Sequence, residues 1–283
     1  MLDAEPSIYS LIVLVLLSVA QAVSLVSKGR LATPASLPVL WGLFLALAVS
    51  EWISFIAALW ILAIISFCAL REYLSLVDIR LEDRWGILFS YFSIPFMFYL
   101  IQIDWYGFFI VAIPVYAFLL MPVCVALGGR SRGIVFSVGA LDFGLFFYVS
   151  CMGHLCYLAF FSERIAMLMI ATVAAADLIH RALRNRPRAL RVPLQVVVAC
   201  VLFTGLAEWS AIPLNHSFAL GIIIPLLVCL GRFTLKQIED DLGIRADRLQ
   251  PGRGRTIDAL KSYLFIAPIV FHYLRWFLKW GAL

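Results

Sequence analysis

The chain has 283 residues, 64% hydrophobic and only 14% charged, with a net charge of +5. Soluble domains carry about 25% charged residues. Here 22 basic and 17 acidic side chains are too few to give this length a polar shell, so lipid must cover much of the surface. An ordinary soluble globular domain is thereby excluded, and the positive charge reads as membrane orientation and attraction to anionic headgroups rather than as a nucleic-acid footprint.

The first apolar run, about residues 8–27, follows Asp3 and Glu5 rather than a basic stretch, and it lacks a small-residue cleavage pattern. It is expected to be a retained transmembrane helix and not a signal peptide. A run from 38 to 70 is interrupted by Glu51. It reads as a short segment (38–50), spanning or re-entrant, and a full span (53–70). Further spans are expected at 86–103, 105–127, 133–160, 165–183, 192–210, 216–231 and 260–280. The expected fold is an all-α polytopic transmembrane bundle of about nine to ten spans, forming a single membrane domain over 1–283.

Charge gives an independent check on these spans. With the N-terminus outside and strict alternation, 19 of the 22 basic residues fall on one side, and only Arg164, Arg275 and Lys279 lie elsewhere. The positive-inside rule then makes that side cytoplasmic and puts both termini outside, in an inner (plasma) membrane of bacterial type. Two arginine-rich cytoplasmic loops are expected, 181–191 and 232–259. Within the second, Phe233, Leu235, Ile238 and Leu242 have helical amphipathic spacing, Gly243 suits a C-terminal cap, and Thr256 suits an N-terminal cap for the last helix.

Cys68, Cys124, Cys151, Cys156, Cys200 and Cys229 lie within or at the ends of apolar runs without a C-x-x-C pair, so they read as packed thiols. The four histidines are scattered over different segments and form no spaced ligand set. Pro251-Gly252-Arg253-Gly254-Arg255 stands before a helix. Glycines there let backbone N–H groups turn toward an anion, arginines add forked donors, and the helix end adds partial positive charge, a setting that suits phosphate. A basic turn anchored to anionic lipid is the simpler alternative. Asp177 and Asp142 lie at membrane depth, where a carboxylate needs a partner or a role. A helix-end charge alone accounts for Asp258.

The stretch 231–271, GRFTLKQIEDDLGIRADRLQPGRGRTIDALKSYLFIAPIVF, resembles the signature region of CDP-diacylglycerol synthases (phosphatidate cytidylyltransferases). Gly231, Asp241, Gly243, Pro251, Gly252, Gly254, Asp258, Ser262, Ala267 and Pro268 keep the order and spacing of that pattern. ISFCALREY (65–73) is similar to an early helix of the family, and Asp177 stands where the family has an aspartate. The resemblance covers most of the chain, and its specific part is the last 55 residues or so.

The resemblance implies an enzyme of phospholipid metabolism that joins CTP to phosphatidate using divalent metal such as Mg²⁺, and it implies a homodimer. The departures fall on the chemical positions. Arg232 replaces a metal-type aspartate, Glu239-Asp240 replace a basic pair, Arg245-Ala246 replace a Lys-Asp pair, and Lys261 stands where the family has an acid. The S-P-x-K-T-x-E-G motif is absent, and Arg191-Val192-Pro193-Leu194-Gln195 stands roughly there. The first expectation is therefore an inactive or repurposed member that binds an anionic lipid (phosphatidate or CDP-diacylglycerol) or a nucleotide such as CTP. It would use Arg232, Arg245, Gly252, Arg253, Gly254, Arg255 and Lys261, alone or beside a partner lipid enzyme. The second is a working cytidylyltransferase with Asp177 and Asp258 holding Mg²⁺. A transporter or flippase, hinted at by Asp142 and Glu51, is the third.

Overall fold

The computed structural model describes residues 8–26, 37–129, 132–183, 185–244 and 254–279. Among them there is no strand, and ten long helices carry the chain. These are α1 (Ile8–Val26), α2 (Leu37–Trp52), α3 (Phe55–Leu74), α4 (Arg84–Gln102) and α5 (Tyr106–Ala126). There follow α6 (Ile134–Phe161), α7 (Glu163–Ala182), α8 (Arg188–Gly205), α9 (Leu214–Asp241) and α10 (Arg255–Leu278). Eight of them, α3 to α10, are long and apolar enough to cross a membrane. Helices suit a lipid solvent because each pairs its own backbone N–H and C=O groups. Large apolar side chains such as Ile64, Phe92, Leu119, Val135 and Val201 point outward, as a lipid-facing surface requires. The chain is an all-α polytopic integral membrane protein.

The chain forms two compact units, Met1–Ser150 with Ala246–Leu260 and Cys151–Arg245 with Lys261–Leu283. In the first, Tyr73 and Tyr148 meet at 5.2 Å between ring centroids, and Phe143 stacks on Phe147. Gly144 lies against the Tyr73 ring, where a Cβ would come within 2.7 Å of it. The helix α6 widens into a π turn at Leu145–Ser150. Side chains of α3 serve one carbonyl before it and one within it: Tyr73 Oη–H donates to the Ala140 carbonyl (2.9 Å) and Ser66 Oγ–H to the Tyr148 carbonyl (2.7 Å). Such side-chain donors satisfy backbone acceptors that a widened turn pulls out of line.

In the second unit α8 and α9 approach closely. A Cβ on Gly221 would stand 2.6 Å from the Cys200 Cα. Small residues at such crossings let membrane helices pack backbone to backbone. Phe271 of α10 packs against Tyr157, Phe161 and His154 of α6.

Two boundaries differ from the sequence expectation. The amphipathic stretch after residue 231 is not a separate element, because α9 continues unbroken to Asp241 with Leu235 buried. It ends as expected at Gly243, whose φ of +73° suits glycine. Ile244 N–H then reaches back to the Glu239 carbonyl at 2.8 Å. The last helix begins at Arg255, two residues before the start that a cap at Thr256 implies. Thr256 is therefore inside its first turn rather than the cap, and its hydroxyl bonds elsewhere.

Candidate functional site

The second unit gathers polar side chains at one end of four apolar helices. Asp177 lies in the last turns of α7, and Arg232 follows the apolar part of α9. Arg232 Nη2–H donates to Asp177 Oδ1, and the two side chains are 19% and 12% exposed. The carboxylate at membrane depth thus has the cation it requires. That partner is Arg232 on another helix. One step deeper, Gln195 of α8 is buried and donates from Nε2 to the Ala176 carbonyl at 2.7 Å. The Cys229 thiol contacts Gln195 Oε1 at 3.5 Å. This fixes α7, α8 and α9 together beneath the ion pair.

Around the pair, three buried donor atoms have no hydrogen-bond partner among the described residues: Arg232 Nη1, Arg191 Nε and the Tyr263 hydroxyl. Lys261 is engaged, since its Nζ donates to both Glu239 carboxylate oxygens at 3.0 and 3.1 Å.

In the first unit, the N-terminus of α10 has found an anion within the chain itself. Glu72, buried at the end of α3, accepts from Gly254 N–H (3.0 Å) and Thr256 N–H (2.9 Å) at Oε2. It also accepts from the Thr256 hydroxyl (2.7 Å) at Oε1. Gly254 adopts φ +92°, which a side chain would resist. Of the donors that the sequence offered to an external phosphate, the Gly254 N–H and the helix end at Thr256 are thus committed to a carboxylate. Arg255 and Asp258 occupy the first turn of the same helix and are half-buried. Asp142 Oδ2 is buried in α6 without a hydrogen-bond partner among the described residues. Near the start of α4, Asp83 is held by Arg80 (2.7 and 3.0 Å) and by the Ser137 hydroxyl (2.5 Å). Burial pushes its carboxyl up, but the hydrogen bonds from Arg80 and Ser137 outweigh this and hold it below the ordinary aspartate value.

Arg245, Gly252 and Arg253 lie outside the described residues. The described ones do not fit a two-metal centre. Asp177 is committed to Arg232, and no three His, Cys, Asp or Glu side chains among the described residues form a metal-holding group. Arg232 and Lys261, expected to meet phosphate, each face a carboxylate of the chain. Glu72, Gln195 and Tyr263 were missed as site residues. Glu72 carried a signal, being the one acid in ISFCALREY.

Over 240 residues the chain is 24% identical to a protein of Escherichia coli (strain K12) described as "Uncharacterized protein YnbB", covering 76% of this chain and 78% of that one. No protein-family model matches the chain, and no solved structure matches it.

Proposed function

We propose that this chain is a phosphatidate cytidylyltransferase-like membrane protein that has exchanged metal-dependent cytidylyl transfer for metal-free binding of an anionic lipid or nucleotide headgroup. The observation that carries this reading is the Asp177–Arg232 ion pair. By the resemblance, position 232 should hold a second carboxylate and the two acids should share a cation. Here a guanidinium, covalently part of the chain, supplies the positive charge instead. The Lys261–Glu239 pair repeats the exchange, with a base where the resemblance has an acid and an acid where it has a base. Phosphoryl chemistry in the family manner needs metal ions bridging phosphate oxygens. Two internal cations, each balanced by its own acid, favour holding a phosphate over activating one.

The distribution of basic residues supports a cytoplasmic arginine-rich end and outside termini in a bacterial inner membrane. A headgroup would then approach Asp177 and Arg232 at the level of the cytoplasmic leaflet. Phosphatidate, CDP-diacylglycerol and CTP are the ligands of first choice. A second copy or a lipid enzyme is the partner of choice.

The test is a turnover assay with the purified chain in lipid micelles, labelled CTP, phosphatidate and Mg²⁺ or Mn²⁺. An active cytidylyltransferase runs beside it as control. No CDP-diacylglycerol from this chain, with phosphatidate retained in EDTA, is the expected result. Metal-dependent turnover abolished by Asp177→Asn would overturn the proposal in favour of a working enzyme with altered metal use.

A further inference from the structure

Toward the Asp177–Arg232 end of the second unit, three buried N–H or O–H atoms have no hydrogen-bond partner among the described residues: Arg232 Nη1, Arg191 Nε and Tyr263 Oη. Tyr263 is completely buried. A buried donor left unpaired costs about 1–3 kcal/mol, so three at one helix end call for a shared acceptor.

Their common location follows from contacts inside the unit. Gln195 of α8 meets Cys229 of α9, and it also bonds the carbonyl of the residue before Asp177. Arg191 lies four residues from Gln195 on the same face of α8, and Arg232 three residues from Cys229 on α9. The two helices run antiparallel, so both arginines stand about one turn beyond the Gln195–Cys229 contact toward the same end. Tyr263 belongs to that end through α10. Gly231, the neighbour of Arg232, packs on Phe265, and Asp177, Arg181 and Arg232 are the charges acting on the Tyr263 hydroxyl.

The charges acting on the Tyr263 hydroxyl are two arginines, Arg181 and Arg232, against the acid Asp177, and Arg191 adds a third cation. A metal ion needs acceptors, and the two guanidinium nitrogens offer none. A single water could accept from both guanidinium atoms and donate to the Tyr263 oxygen, but it would leave the arginine charge unneutralised. A phosphate oxyanion has lone pairs enough for all three and neutralises the excess charge.

We infer that Arg191, Arg232 and Tyr263 form a subsite for one phosphate group, the phosphomonoester head of a membrane lipid or free phosphate. The inference rests on the anionic-headgroup reading above and adds which atoms grip the phosphate. Asp177 is then a positioning residue that holds the Arg232 fork so that Nη1 faces the ligand.

The experiment is equilibrium binding of fluorescent short-chain phosphatidate to the full chain in phosphatidylcholine micelles containing EDTA. Phosphatidylglycerol, a phosphodiester, is the comparator and inorganic phosphate the competitor. Tyr263→Phe removes a single hydroxyl, and Arg191→Lys keeps charge while removing Nε–H. Each should weaken phosphatidate binding about tenfold or more, as expected for a donor lost from a charged group. Thermal melting should stay near the parent value, and phosphatidylglycerol should bind more weakly. Competition by inorganic phosphate would assign the subsite to free phosphate as well, and lack of competition would assign it to the lipid head; both support it. Unchanged phosphatidate affinity in both variants would overturn the subsite and leave the headgroup reading standing. No phosphatidate binding by the parent chain would overturn both.

Discussion

Glu72 and Gly254 are separated by 182 residues of sequence and joined by a 3.0 Å hydrogen bond from the Gly254 N–H to the Glu72 carboxylate. Two further bonds from Thr256 reach the same carboxylate. A helix N-terminus leaves its first N–H groups unpaired, and here a buried acid satisfies them from α3. The arrangement fixes where α10 begins. Glu72→Ala should therefore lower stability by about 3 kcal/mol, from several charge-assisted bonds lost together. Glu72→Gln, which keeps one oxygen and can donate to the Thr256 hydroxyl, should lose less than half as much. Thermal melting in micelles reads both. A parent-like melt for Glu72→Ala would show that the carboxylate does not hold the helix.

The Asp177–Arg232 pair has a separate signature. Both side chains are largely buried, so removing one leaves an uncompensated charge near membrane depth. Asp177→Ala and Arg232→Ala should each destabilise by up to about 3 kcal/mol, and the double variant should cost little more than either alone. A double-mutant cycle on melting or denaturant midpoints measures the coupling. Additive effects would mean that the two residues act independently, and the claim of an internal cation would fall with them.

Much of the fold was legible because the bilayer imposes one rule: about twenty apolar residues per crossing, closed by charge or turn residues. That rule places α3 to α7 within a few residues of their observed ends. It failed after residue 231, since an amphipathic continuation carries the hydrophilic signature of a loop although α9 stays helical to Asp241. The cap at Thr256 was off by two residues, because the partner of the α10 N-terminus is Glu72, remote in sequence. The candidate site was legible at Asp177, where a carboxylate at depth demanded explanation, and at Arg232, where the resembled pattern has an acid. It was not legible at Gln195 or Tyr263, which blend into apolar runs and acquire meaning only from burial. Nor could pairing be read: Lys261 and Glu239 each stood out as departures, and only the fold shows that they answer one another.

The crossing of α8 and α9 gives a packing test free of charge effects. A methyl group on Gly221 would meet the Cys200 backbone at 2.6 Å (Cα) and 2.9 Å (N), neither of which can swing aside. Gly221→Ala should push the helices apart and cost about 1–3 kcal/mol. Gly139→Ala, where a Cβ meets nothing within 4 Å, is the matched control and should be neutral or slightly stabilising. Because Gln195 lies on α8, the same separation should also weaken any ligand held at Arg191. Equal melting of the two variants would argue that the helices do not pack this closely.

The last expectation concerns pH and Asp83. Its folded value lies below the ordinary 3.8 because hydrogen bonds from Arg80 and Ser137 outweigh the effect of burial. A group whose affinity for protons falls on folding binds more protons in the unfolded chain, so its contribution to stability rises with pH. It is complete above about pH 5, where Asp83 is ionised in both states, and it fades as pH drops through the folded value. Asp83→Asn should melt below the parent at pH 7, and the gap should narrow steadily from about pH 4 downward. Ser137→Ala removes one of the two hydrogen bonds that hold the carboxylate ionised, so it should shrink this acid-dependent part without abolishing it. Melting temperatures of the three proteins between pH 7 and pH 3 decide the matter. A gap between parent and Asp83→Asn that does not change with pH would mean that the carboxylate stabilises the α4 entrance by shape and not by charge.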